Sequence, residues 1–235
     1  MKEWLADWAG RDGLYGLFSE ATAVHPYSQR GNLTLGAHEM GFLLGYIPSG
    51  VDYKQITDGA ASQRKTAALM YLPTSPEPDR MVHPPAAYQD IAMSIYGNAG
   101  LSRTAGAGDG SQSGQASQVH LQRDKDHNAA LLRCQKVGTE LHATIATHAD
   151  ALRKEGVDCV YLDLPLADPE VFAHGADLNG LGFVFSCILP EVRDDGDVLR
   201  LQMLNGVDPH LDEIATASEY GRALLSRIAA DLNGI

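Results

Sequence analysis

One pattern constrains this chain more than any other: the same order of signals occurs twice. In the first half a helix ends at Gly13, a strand follows, then a helix, then a strand that stops at Pro48. In the second half a helix ends at Gly156, a strand follows, then a helix, then a strand that stops at Pro190. A Leu-Gly pair closes the middle helix both times, at Leu35-Gly36 and Leu181-Gly182. Farther on, Leu69 and Tyr88 have the same separation as Leu201 and Tyr220. Repetition at this length implies two copies of one supersecondary unit. Helices that cross between strands bury their apolar faces against a sheet, so the fold class is α/β with a mixed sheet. Chance similarity between two α/β stretches is the alternative.

The individual elements follow from periodicity. Leu5, Trp8 and Ala9 share a helical face before Gly10 and Gly13. Strands are expected over 14–24, 40–47, 66–72, 119–122, 128–136, 157–164, 183–189 and 198–204. Helices are expected from Pro26 to about Leu35, over 86–99, 139–155 and 169–179, and at 218–232. Val157 to Leu164 is apolar on both faces and belongs inside the sheet. Residues 49–65 are polar and read as loop, and 74–79 (TSPEPD) as a Pro-rich turn. Residues 104–118 (TAGAGDGSQSGQASQ) hold little that can join a core. They divide the chain into half-repeats at 1–103 and 119–235 with a linker between, or form a surface loop in one domain.

Composition enters as a filter. A net charge of −12 argues against nucleic acid and anionic membranes as main partners, because both need a basic face. No stretch is long and apolar enough to span a bilayer, and Met1-Lys2-Glu3-Trp4 does not open a signal peptide. Cys134, Cys159 and Cys187 are odd in number and far apart, as expected of reduced thiols in a cytoplasmic protein rather than of disulfides or a metal site. The nine histidines show no zinc-binding spacing, and there is no GxSxG, Walker A or GxGxxG.

Two segments of the second half carry a resemblance. They are Lys154-Glu155-Gly156-Val157-Asp158-Cys159-Val160-Tyr161-Leu162-Asp163-Leu164 and Leu181-Gly182-Phe183-Val184-Phe185. Together they resemble the C-terminal part of the GNAT superfamily of acyl-CoA N-acyltransferases, where an LGF signature leads into a strand. The first half resembles the same pattern more weakly, with Leu35-Gly36-Ala37. More narrowly, residues 13–21, His25, Ser28-Gln29 and 44–48 resemble GNAT-like regions fused to bacterial anti-sigma-type histidine-kinase-like ATPase domains. The resemblance implies binding of acetyl-CoA or another acyl-CoA and acyl transfer to an amine. It also implies a pyrophosphate loop at Lys136, Val137, Gly138 and Thr139, where free amides at a helix N-terminus attract an anion. That loop has one glycine, and Glu140 in the first turn repels a phosphate. Asn32 and Leu178 stand where the family often has a Tyr general acid.

The residues themselves offer further candidates. Glu20 and Asp163 match when the halves are aligned, and an acid inside an apolar strand can serve as a general base; otherwise each is an edge or cap carboxylate. His25, with Tyr27 and Gln29, follows the first such strand and is either a catalytic group or part of a capping cluster. Arg64 and Lys65 offer a phosphate site or a solvated pair. Three functions remain open. One is a degenerate GNAT-like module with a regulatory or ligand-sensing role and a protein partner. The others are an active N-acyltransferase and a structural dimerisation domain. The first half lacks the strands that precede its helix. That favours a homodimer through an uncovered edge; the alternative is a monomer whose halves complete one sheet.

Overall fold

The computed structural model describes residue 5 and residues 9–50, 63–108 and 114–234. Trp4, Trp8, most of the 49–65 loop and the middle of the 104–118 segment lie outside the described residues. The described residues form ten strands: β1 (Gly16–Thr22), β2 (His38–Ile47), β3 (Lys65–Pro73), β4 (Arg80–Val82), β5 (Arg103–Ala105), β6 (Gln118–Asp124), β7 (Ala129–Lys136), β8 (Cys159–Pro165), β9 (Val184–Arg193) and β10 (Gly196–Leu204). Among the described residues five helices have both ends defined, α1 (Tyr27–Thr34), α2 (Gln89–Ala99), α3 (Leu141–Lys154), α4 (Gly175–Asn179) and α5 (Glu219–Leu232), and residues 5 and 9–11 are helical as well. None of the described helices is long and apolar enough to cross a membrane.

Eight strands make one mixed sheet in the order β1-β3-β2-β9-β10-β8-β7-β6. β8 is buried at every residue and lies inside the sheet, as its two-faced apolar pattern requires. β7 and β8 are parallel, joined by α3; the other pairs in this sheet are antiparallel. β4 and β5 form a separate parallel pair. Thr104 and Ala105, at the start of the Gly/Ser-rich segment, are therefore in a strand, paired with Met81 and Val82.

The two halves use the same backbone devices. β1, β3 and β2 follow the order of β8, β10 and β9, so the sheet reads alike from each side of the β2–β9 seam. Gly13 and Gly156 have φ of 75° and 74°, and Gly36 and Gly182 both have 87°. The Leu14 amide bonds the Ala9 carbonyl and the Val157 amide the Leu152 carbonyl, each at 3.0 Å.

The seam itself has little ladder. β2 meets β9 at the single pair Gly41↔Cys187. Gly41 has φ of 150°, and a Cβ there would lie 2.1 Å from the Ser186 carbonyl oxygen, so only glycine permits the approach. Side chains complete the seam. Buried Gln202 accepts from the Leu44 amide at 2.9 Å and donates to the Phe42 and Phe185 carbonyls at 3.2 Å each. Ser186 donates to Phe42 at 3.1 Å. α5 packs on both β2 and β9, and its cap Ser218 donates to Glu39 of β2. A continuous apolar core runs beneath both halves, from Phe42 and Met70 to Leu162, Phe185 and Leu201.

Candidate functional site

The parallel ladder between β7 and β8 runs for five pairs, from Ala129↔Cys159 to Arg133↔Asp163. Beyond it Cys134–Lys136 and Leu164–Pro165 have no partner across the gap, and the strands part. A cleft of about 680 Å³ opens there, lined by Lys136, Val137, Pro165, Asp168, Glu170 and Arg193 among others. It lies beside the N-terminus of α3. Strand ends next to a helix N-terminus are where α/β proteins commonly hold anions.

The chain supplies its own acceptors to these amides. Val137 N–H donates to Asp168 Oδ2 at 3.3 Å, and Gly138 N–H donates to Ser117 Oγ at 2.9 Å. Ser117 Oγ returns a bond to the Gly138 carbonyl at 3.3 Å, and its own amide donates to Glu140. The Glu140 carboxyl is held below the usual range, first by its own backbone N–H and then by that of Ser117. Residues 115–117 lie directly on Gly138: a Cβ there would be 2.2 Å from the Gln115 carbonyl oxygen. Lys136 and Thr139 are exposed, whereas Val137 and Gly138 are buried. The four residues thus stand at a helix N-terminus, with two of their amides already bonded within the protein.

Glu20 and Asp163 fall in one row across the sheet, Glu20↔Leu69↔Gly41↔Cys187↔Arg200↔Asp163. This row lies opposite Ser19, whose hydroxyl accepts from Asn32 of α1. Both Asp163 oxygens are taken by Arg200, at 2.7 and 2.8 Å, in a mostly buried bidentate pair. Glu20 is exposed and accepts the Tyr46 hydroxyl at 2.7 Å. Burial, and then Glu20, push that hydroxyl above its ordinary pKa, so it stays protonated. The Tyr46 ring meets Tyr161 edge-on at 6.2 Å, and the Arg200 guanidinium sits 5.6 Å from the Tyr161 ring centre. An aromatic and ionic string therefore links the two predicted acids through Tyr46, Tyr161 and Arg200. Periodicity does not mark those three: the β8–β10 register sets Arg200 opposite Asp163, and side-chain contacts alone bring Tyr46 to Glu20 and Tyr161 to Arg200.

His25 stacks on Tyr27 at 4.9 Å, and its Nδ1 has no protein partner among the described residues. It shares no hydrogen bond with Glu20 or Asp163. Gln29 is structural: it donates to Ala215 at 2.8 Å and accepts from the Ala217 amide at 3.2 Å. Arg64 is buried, bonded to Gly45, Tyr46, His127 and Asp158, and Lys65 pairs with Glu213 at 2.6 Å. Among the described residues no three His, Cys, Asp or Glu side chains gather as a metal ion requires.

No family model matches the chain, and no curated protein matches it in sequence. Among solved structures, the crystal structure of nourseothricin acetyltransferase matches 81% of this chain and 99% of its own, at 12% identity and a TM-score of 0.31.

Proposed function

We propose that the chain is a GNAT-like fold in two half-repeats, and that it works as a regulatory or ligand-sensing module instead of an acetyl-CoA-dependent enzyme. The strand order β6-β7-β8-β10-β9, with a parallel β7–β8 pair that parts at Arg133 and Asp163, supports the fold. The observation that carries the functional reading is the amide bonding at α3. Asp168 and Ser117 accept from the Val137 and Gly138 amides, and Gln115, Ser117 and Glu140 fill the space over Gly138 that a pyrophosphate needs. Acetyl-CoA does not fit this loop as it stands, and Glu140 adds like charge where its phosphates would lie.

A thermal-shift titration with millimolar acetyl-CoA tests the reading. A ligand at about 100 times its Kd stabilises by about 2.7 kcal/mol. For a chain of this size that is a rise in Tm on the order of 5 °C or more. The expected result is no shift; a saturable rise overturns the reading.

The cleft of about 680 Å³ beside Lys136 and Arg193 favours one other reading, an acyl-CoA-dependent N-acyltransferase acting on an amine. It requires residues 115–117 and Glu140 to withdraw from Gly138. Release of free CoA from acetyl-CoA by the full chain in the presence of primary amines would establish it.

A further inference from the structure

The outer edge of β1 is open in a way that its counterpart is not. β8 holds the matching place in the second half, and β7 fills its outer edge over five pairs. Among the described residues nothing pairs with the outer edge of β1. The sheet's other margin, β6, is blunted by exposed Gln118, His120, Gln122, Arg123 and Asp124, as soluble proteins protect an edge. β1 has no such run: Phe18 within it is 39% exposed, and Leu14 and Tyr15 just before it are 43% and 39% exposed.

The backbone register says which groups are available. The Thr74 amide donates to Tyr15 at 2.8 Å and the Ala23 amide to Thr66 at 2.9 Å. Tyr15 and Ala23 therefore face β3, and with a period of two so do Leu17, Ser19 and Ala21. Gly16, Phe18 and Glu20 turn their N–H and C=O groups outward. The Thr22 carbonyl, next in that series, already accepts from Gln29 at 3.4 Å.

We infer that β1 pairs antiparallel with β1 of a second copy of this chain, about a two-fold axis at Phe18. Three outward residues centred on Phe18 are self-complementary. Phe18 faces Phe18 of the second copy, and Gly16 faces Glu20 in both directions, so all six outward groups on each strand are bonded. Such a contact is isologous and closes as a dimer. Phenylalanine faces phenylalanine, a favourable cross-strand pair, and each Glu20 faces a glycine instead of its own kind. A slip of two residues would set Glu20 against Glu20 or leave outward groups unmatched. A heterologous pairing of β1 with β6 would instead build open filaments and set apolar residues against a charged strand.

The test uses the full chain and its single-site variants. The wild type is expected to sediment at twice its 25.2 kDa mass. In Phe18→Cys the paired Cα atoms would be about 5.5 Å apart, within disulfide reach, so mild oxidation should link most chains into dimers. In Glu20→Cys the two sulfurs would be offset by about 14 Å along the strands, and the same treatment should leave single chains. Phe18→Pro removes an outward N–H but no bond to β3, so it should halve the mass with an unchanged circular dichroism spectrum. A wild type that is monomeric at high micromolar concentration overturns the inference. So does a dimer that Phe18→Pro leaves intact, or one in which Glu20→Cys links and Phe18→Cys does not.

Discussion

Arg103 shows how a single side chain decides a local structure. Its side chain is fully buried, and its N–H groups all find acceptors. Nε bonds Asp197 at 2.7 Å, Nη2 bonds Glu77 at 2.6 Å and Glu191 at 3.1 Å, and Nη1 bonds the Pro78 and Ser102 carbonyls. Arg80 pairs with Glu191 from the other side. These bonds tie the β4–β5 pair to the β9–β10 hairpin. Arg103→Met would leave buried carboxylates short of a cation, at a cost of about 3–5 kcal/mol. Urea denaturation of the two proteins checks this, and a loss below 1 kcal/mol would contradict it. The cysteines make a second prediction at this scale. Burial pushes the Cys134 and Cys187 thiols up to about 12 and Cys159 to about 11. A folded-state pKa raised in this way stabilises the fold fully below the unfolded thiol's range. That contribution is lost as pH climbs towards 11 to 12. At pH 8 the native protein should therefore resist iodoacetamide at all three sites, and the urea-unfolded chain should take up three adducts by intact mass. Rapid native labelling of any one of them would contradict the burial argument.

At the scale of elements, periodicity carried most of the reading, because burial sets it. β8 is apolar on both faces because strands lie on each side of it and core lies on both surfaces. α3 shows Leu141, Ile145, Ala149 and Leu152 at helical spacing because those four are its buried stripe. What periodicity cannot see is what a segment touches. β4 and β5 are three residues each, too short to show a period. Ser117 sits in a Gly/Ser-rich stretch with no pattern, yet its hydroxyl and amide bind Gly138 and Glu140. The sequence did mark Glu140 as hostile to a phosphate at α3. It could not show that the same carboxylate accepts from the loop before β6, which turns a repulsive residue into part of a closed cap. Asp163 is the converse case. It looks like an acid in an apolar strand until the β8–β10 register sets Arg200 beside it.

For the whole molecule, the question is whether two halves that resemble each other behave as one body. One ladder pair, Gly41↔Cys187, is too little to couple them. Along the seam the coupling comes from Gln202, with Ser186, the Ser218–Glu39 bond and the Arg64 ties to His127 and Asp158; away from it, Arg103 and Arg80 reach Asp197 and Glu191 of the second half. Gln202 is fully buried and serves Leu44 and Phe42 of one half and Phe185 of the other. Gln202→Ala would strand one amide and remove a donor from two carbonyls, each in a site closed to water. Unmet buried groups cost about 1–3 kcal/mol each, so a loss of about 3 kcal/mol is expected. The form of the loss matters more than its size. If the seam couples the halves, the wild type unfolds in one urea transition, and amides in β3 and β8 exchange with the same free energy. In Gln202→Ala the halves should begin to unfold separately, with a lower apparent m-value and β3 amides exchanging before those of β8. Two transitions in the wild type would mean that the halves are not coupled; a variant that loses stability with an unchanged m-value and matched exchange would mean that the common core, and not the seam, holds them together.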